Sequence, residues 1–183
     1  MGTITKSVAT MAGPAQPEEG LCLLVVEDDD ADTYLIFRAL MNHPAVAKVV
    51  HAPDGVEALR MIESGEIEPD MAFIDLQMPR KNGFDLLTAL NGLAERTEGG
   101  FPMVVLTSSS SPADAQRSKL RSAIRVITKP ESVNLLEVAL NSAINAACPY
   151  AKTIGAAPKK KQRAAPRQIG FSGVDPFGYD RLG

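Results

Sequence analysis

Short apolar runs along this chain alternate with longer stretches in which apolar residues recur at helical spacing. Strand-like runs fall at Leu21–Val26, Val46–His51, Met71–Ile74, Met103–Leu106 and Ile124–Ile127. Continuous apolar runs of this length suit parallel strands buried on both faces. A helical pattern follows each one. Ala31–Met41 carries Tyr34, Leu35, Phe37, Ala39, Leu40 and Met41, and Asp30 or Asp32 is the expected N-cap. The stretch PDGVEALRMIESG begins at a turn, spaces Val56, Leu59 and Ile62 along one face, and stops at Gly65. Phe84–Leu93 is helical. Pro112–Leu120 is a helix candidate opened by Ser111 and Pro112. Ser132–Ala146 places Val133, Leu136, Leu140 and Ile144 on one side.

Strand then helix, five times over, predicts an α/β protein: a five-stranded parallel sheet, doubly wound, with helices on both faces. In such sheets ligands bind outside the carboxyl ends of the strands. The residues expected there are Glu27 and Asp28, Asp75, Thr107 and Lys129. The first strand runs directly into four acids, Glu27 to Asp30. Like charges that close repel, and a low-dielectric rim strengthens the repulsion. A positive partner therefore belongs at this edge.

Three carboxylates on one rim suit a hard divalent cation such as Mg²⁺, which takes oxygen ligands and keeps room for phosphate oxygens. Lys129 can neutralise further anionic charge, and the Thr107 hydroxyl can donate to an oxygen. Asp75 ends the central run and is the natural nucleophile toward phosphorus, forming an acyl phosphate. Asp29 and Asp30 read as solvent-facing charges that start a helix.

The ordered set VVEDD, FIDLQMPRKNGFDLL, VVLTSS and ITKP resembles the receiver domain of two-component response regulators, over about residues 20–147. Each fragment alone fits a turn or a cap; the ordered set is specific. The resemblance implies the flavodoxin-like (βα)5 receiver fold, with Asp75 as phosphoacceptor and Glu27, Asp28 and Asp75 around Mg²⁺. It makes Asp28 the direct metal ligand, with Glu27 acting through water and the backbone carbonyl of Gln77 also reaching the ion. It makes Thr107 the switch hydroxyl, Lys129 the phosphoryl-facing lysine and Pro130 the proline that often follows in a cis peptide bond. VVEDDDADTYLIFRAL is also similar to the single-domain regulators paired with bacterial phytochrome-type kinases. The implied partners are a histidine kinase, of phytochrome type by the subgroup likeness, or a phosphotransfer protein. A second copy of the chain is also implied, docked through the fourth-helix, fifth-strand and fifth-helix face. The protein is then no enzyme beyond its own phosphorylation and dephosphorylation.

Two positions depart from that pattern. Val126 stands three residues before the lysine, where the family usually has Tyr or Phe, and Ser122 replaces a usual glycine. The signal is then read out without an aromatic switch. A phosphohydrolase with an aspartyl-phosphate intermediate is a rival reading. It needs a general acid two residues after the nucleophile, and Gln77 cannot serve.

Charge refines the organisation. The chain has 183 residues and a formal net charge of −3. From Pro149 onward seven Lys/Arg stand against two acids, giving +5 for the tail and leaving −8 for residues 1–148. The expected layout is a loose arm over 1–20, a receiver over 21–147 and a basic, flexible tail over 148–183. An acidic body argues against a nucleic-acid-binding domain. KKKQR in the tail leaves open a phosphorylation-gated protein that contacts nucleic acid. Cys22 and Cys148 form no CxxC pair, which fits a reducing compartment. No apolar run spans a bilayer and the start lacks a signal-peptide core, so the expectation is a cytoplasmic protein without membrane contact.

Overall fold

In a computed structural model, which describes residues 20–78, 83–97, 100–108, 116 and 123–148, every one of the five expected strands forms. They are β1 (Leu21–Val26), β2 (Val46–Ala52), β3 (Met71–Asp75), β4 (Met103–Thr107) and β5 (Arg125–Thr128). The helices are α1 (Asp30–Met41), α2 (Gly55–Glu63), α3 (Gly83–Thr97) and α4 (Val133–Ala147). The expected helix Pro112–Leu120 and the position Ser122 lie outside the described residues, apart from Gln116, which is helical. The arm 1–19 and the tail from Pro149 lie outside them as well.

All strand pairs are parallel, in the order β2-β1-β3-β4-β5. Successive side chains on a strand point to opposite faces, so each strand feeds two cores. One core joins Leu24, Val26, Ala72, Ile74 and Val105 to Leu59 and Met61 of α2 and Leu86, Leu87 and Leu90 of α3. The other joins Leu23, Val25, Phe73, Val104 and Leu106 to Ile36, Phe37 and Leu40 of α1 and Leu136, Leu140 and Ile144 of α4. Burial on both faces is why β1, β3 and β4 read as unbroken apolar runs, whereas the edge strands β2 and β5 carry exposed Lys48 and Arg125.

Local chemistry sets the helix ends. The N-cap of α1 is Asp29, one residue before the expected position. Its Oδ1 accepts from the backbone N–H groups of Ala31 (2.9 Å) and Asp32 (2.8 Å). Three consecutive aspartates offer the same capping chemistry, and the place where β1 stops decides between them. Asp54 caps α2 in the same way, and Gly65 after its end has φ +73°, a left-handed conformation that glycine adopts without strain. Cys22 and Cys148 form no disulfide. Among the described residues no helix is long and apolar enough to cross a membrane. No peptide bond among them is cis either. The Lys129–Pro130 bond is therefore trans, against expectation and in line with the lower-energy isomer.

Candidate functional site

The strand order reverses between β2-β1 and β1-β3, and the crevice at such a switch point is where doubly wound sheets bind ligands. The register decides what lines it. Val26 pairs with Ile74, so Glu27 and Asp75 emerge side by side. Asp75 pairs with Leu106 and Thr107 with Thr128, which carries the rim on to Thr107 and Lys129. Glu27, Asp75 and Thr107 are buried, whereas Asp28 is exposed.

Lys129 binds this rim together. Its Nζ donates to Glu27 Oε2 and to Asp32 Oδ2, both at 2.7 Å, and lies 3.4 Å from Asp75 Oδ2. Its own backbone N–H donates to the Thr107 carbonyl at 2.8 Å, which anchors the lysine to β4. Burial works against the ammonium, but the bonds to Asp32 and Glu27 outweigh it and raise the pKa above the ordinary lysine value. For Glu27 burial dominates in the other direction. It pushes the carboxyl up to about 7, although the bond from Lys129 opposes the shift.

Asp75 is held from the opposite side, where its Oδ1 accepts the backbone N–H of Gln77 at 3.2 Å. Gly83, at the start of α3, closes against the same residue. A Cβ built at Gly83 would stand 2.3 Å from the Asp75 carbonyl oxygen. Behind the acidic pair, His51 Nε2 donates to the Glu27 carbonyl at 2.7 Å, and the Thr33 hydroxyl lies 3.4 Å from the same nitrogen.

Glu27, Asp28 and Asp75 each offer a carboxylate oxygen, and these oxygens lie within 4.8 Å of one another. Among the described residues this is the one cluster with metal-ligand character. A set made only of carboxylates suits a hard divalent cation such as Mg²⁺. Counting Asp32, four carboxylates share a single ammonium, so a further positive charge is accommodated.

The structure thus brings together all the residues expected at the strand ends. It adds two that sequence reading missed. Asp32 stood only as a candidate cap, yet it reaches Lys129. Its signal lay in its place three residues past the cap, on a turn whose side chains lean back toward the helix N-terminus. His51 ended a strand without an evident partner, and its partner is a backbone carbonyl, which no motif displays. Val126 is half-buried and packs on the core shared with α2 and α3.

The family model for the response regulator receiver domain matches residues 23–141. The chain belongs to the response regulator receiver family. This receiver is 31% identical to the Regulator of RpoS of Escherichia coli (strain K12) over 118 residues, which are 63% of the chain and 32% of the relative. The chain therefore spans about a third of the length of the first curated relatives it matches. Among solved structures, the phosphorylated cyanobacterial phytochrome response regulator RcpA superposes with a TM-score of 0.62 at 27% identity, covering 70% of this chain and 94% of RcpA. The Mn²⁺-bound form of response regulator Rcp1 superposes with a TM-score of 0.61 at 22% identity, covering 68% and 92%. The receiver fold read from the sequence is the fold observed.

Proposed function

We propose that this receiver accepts a phosphoryl group on Asp75 from a phosphohistidine of a partner histidine kinase or phosphotransfer protein, and that the modification changes its protein contacts. The observation that carries this reading is the convergence of Glu27, Asp28, Asp75, Thr107 and Lys129 on one rim at the switch point of the sheet. An Asp75 carboxylate oxygen attacks phosphorus, the P–N bond to the donor histidine breaks, and its electron pair leaves on the imidazole nitrogen. The Gln77 backbone N–H fixes the orientation of Asp75 by bonding its Oδ1, leaving Oδ2 on the Lys129 side. Lys129 neutralises charge on the transferred oxygens, and the Thr107 hydroxyl donates a hydrogen bond to one of them.

Mg²⁺ is the cation the donors suit; Glu27, Asp28 and Asp75 would hold it together with the Gln77 backbone carbonyl, Asp28 as the direct ligand and Glu27 through water. When bound, it supplies charge neutralisation at the phosphoryl oxygens. Asp28→Ala is then expected to weaken Mg²⁺ binding more than Glu27→Ala in a metal titration. Equal affinities of the two variants would contradict this order within the pair.

In this reading the receiver acts in the cytoplasm, with no catalysis beyond its own phosphorylation and dephosphorylation. Its partners are a kinase and a second copy of itself. The likeness to a phytochrome response regulator at 27% identity supports a phytochrome-type kinase. Leu135 and Val138, one turn apart on α4, are 60% and 65% exposed, and Ile124, just before β5, is 53% exposed, which supports a homodimer through that face. Profiling purified histidine kinases tests the function. Rapid, selective transfer from one kinase is expected, and absence of transfer from phytochrome-type and all other kinases would overturn the reading.

A further inference from the structure

We infer that Asp32 is a positioning residue that holds Lys129 away from Asp75 until a phosphoryl group arrives. The inference rests on the phosphoacceptor reading of Asp75. An ammonium has three N–H donors. Two are committed, at 2.7 Å, to Glu27 and Asp32, while Asp75 lies at the longer 3.4 Å. Glu27 belongs to the metal-ligand cluster and Asp32 does not. Asp32 also differs in place and exposure. It sits in the first turn of α1, with a side chain 39% exposed against 1% for Glu27. Among the described residues, holding the lysine is thus the one site contact Asp32 makes through its carboxylate, and it draws Nζ toward α1.

Phosphorylation replaces the Asp75 carboxylate with a group carrying more charge and three oxygens, which competes for the same ammonium. Asp32 is the competitor that can release it, because its own charge is partly solvated and loses little when the contact opens. The tether therefore lowers affinity for the phosphoryl group and biases the receiver toward its unmodified state.

The test is the affinity of the full chain for beryllium fluoride, a phosphoryl mimic, at saturating Mg²⁺. Asp32→Asn frees Lys129 and is expected to bind the mimic about three- to fivefold more tightly than wild type, the worth of one partly exposed ion pair. Asp32→Glu, which can still reach the ammonium, restores most of the wild-type affinity. Asp30→Asn removes the same charge from the same helical turn without breaking the Lys129 contact, and leaves affinity within about 1.5-fold of wild type at moderate salt. If Asp32→Asn binds no tighter than wild type, or if Asp30→Asn matches it, the tether is refuted and any effect is general charge. If wild type itself does not bind the mimic, the phosphoacceptor reading fails and the tether falls with it.

Discussion

Gly83 shows how one missing side chain controls the site. A Cβ there would meet the Asp75 carbonyl oxygen at 2.3 Å and the Leu76 Cα at 3.0 Å, both backbone atoms that cannot turn aside. Gly83→Ala is expected to cost about 1–3 kcal/mol in urea unfolding. It should also slow phosphorylation, because the relief of the clash moves Asp75. Unchanged stability would show that the α3 start yields freely. His43 sets a pH dependence far from that rim. It is buried, and its Nδ1 accepts the Ala45 backbone N–H at 3.2 Å, so the neutral ring is the form that fits. Burial lowers its pKa below the ordinary 6.5, against a hydrogen bond with Asn145. The unfolded chain then binds more protons below that value. The stability His43 confers is complete above pH 6.5 and is lost as the pH falls through the depressed folded value. Unfolding midpoints at about pH 8 and about pH 5 should therefore converge more closely in His43→Gln than in wild type. An identical loss in both proteins would refute the assignment. Asp75 and Lys129 were legible in the sequence because each ends a strand. Asp32 and His51 were not, because their partners come from other elements and only the folded register brings them near.

At the scale of elements, α4 carries a packed face and an exposed apolar face along a single helix. Leu136, Leu140, Ala143 and Ile144 face the sheet, while Leu135 and Val138 face outward. The helical spacing made the inner stripe legible. Leu140 is fully buried, so Leu140→Ala is expected to cost about 2–5 kcal/mol of stability. The pair Leu135→Asp and Val138→Asp should cost under about 1 kcal/mol, since exposed positions bury little. The same pair should turn the proposed homodimer into a monomer in light scattering across a dilution series. A wild-type monomer at high micromolar concentration, with and without beryllium fluoride, would end the dimer proposal. The α1 cap moved by one residue from its expected place because Asp29, Asp30 and Asp32 offer the same oxygen. Only the end of β1 selects among them.

For the molecule as a whole, strand-helix alternation predicted the parallel sheet, and the register then carried five separated residues to one edge. That edge sets the Lys129 ammonium against Glu27, Asp32 and Asp75, with Asp28 beside the acids, and Asp75 is the proposed phosphoryl acceptor. The most direct measurement is intact-mass spectrometry after incubation with acetyl phosphate and Mg²⁺, for wild type and Asp75→Asn at matched metal. One added phosphoryl group is expected on wild type, lost on chelation of the metal before the donor is added, and none on Asp75→Asn, whose amide is a poor nucleophile. Equal modification of both proteins, or of neither, would contradict it.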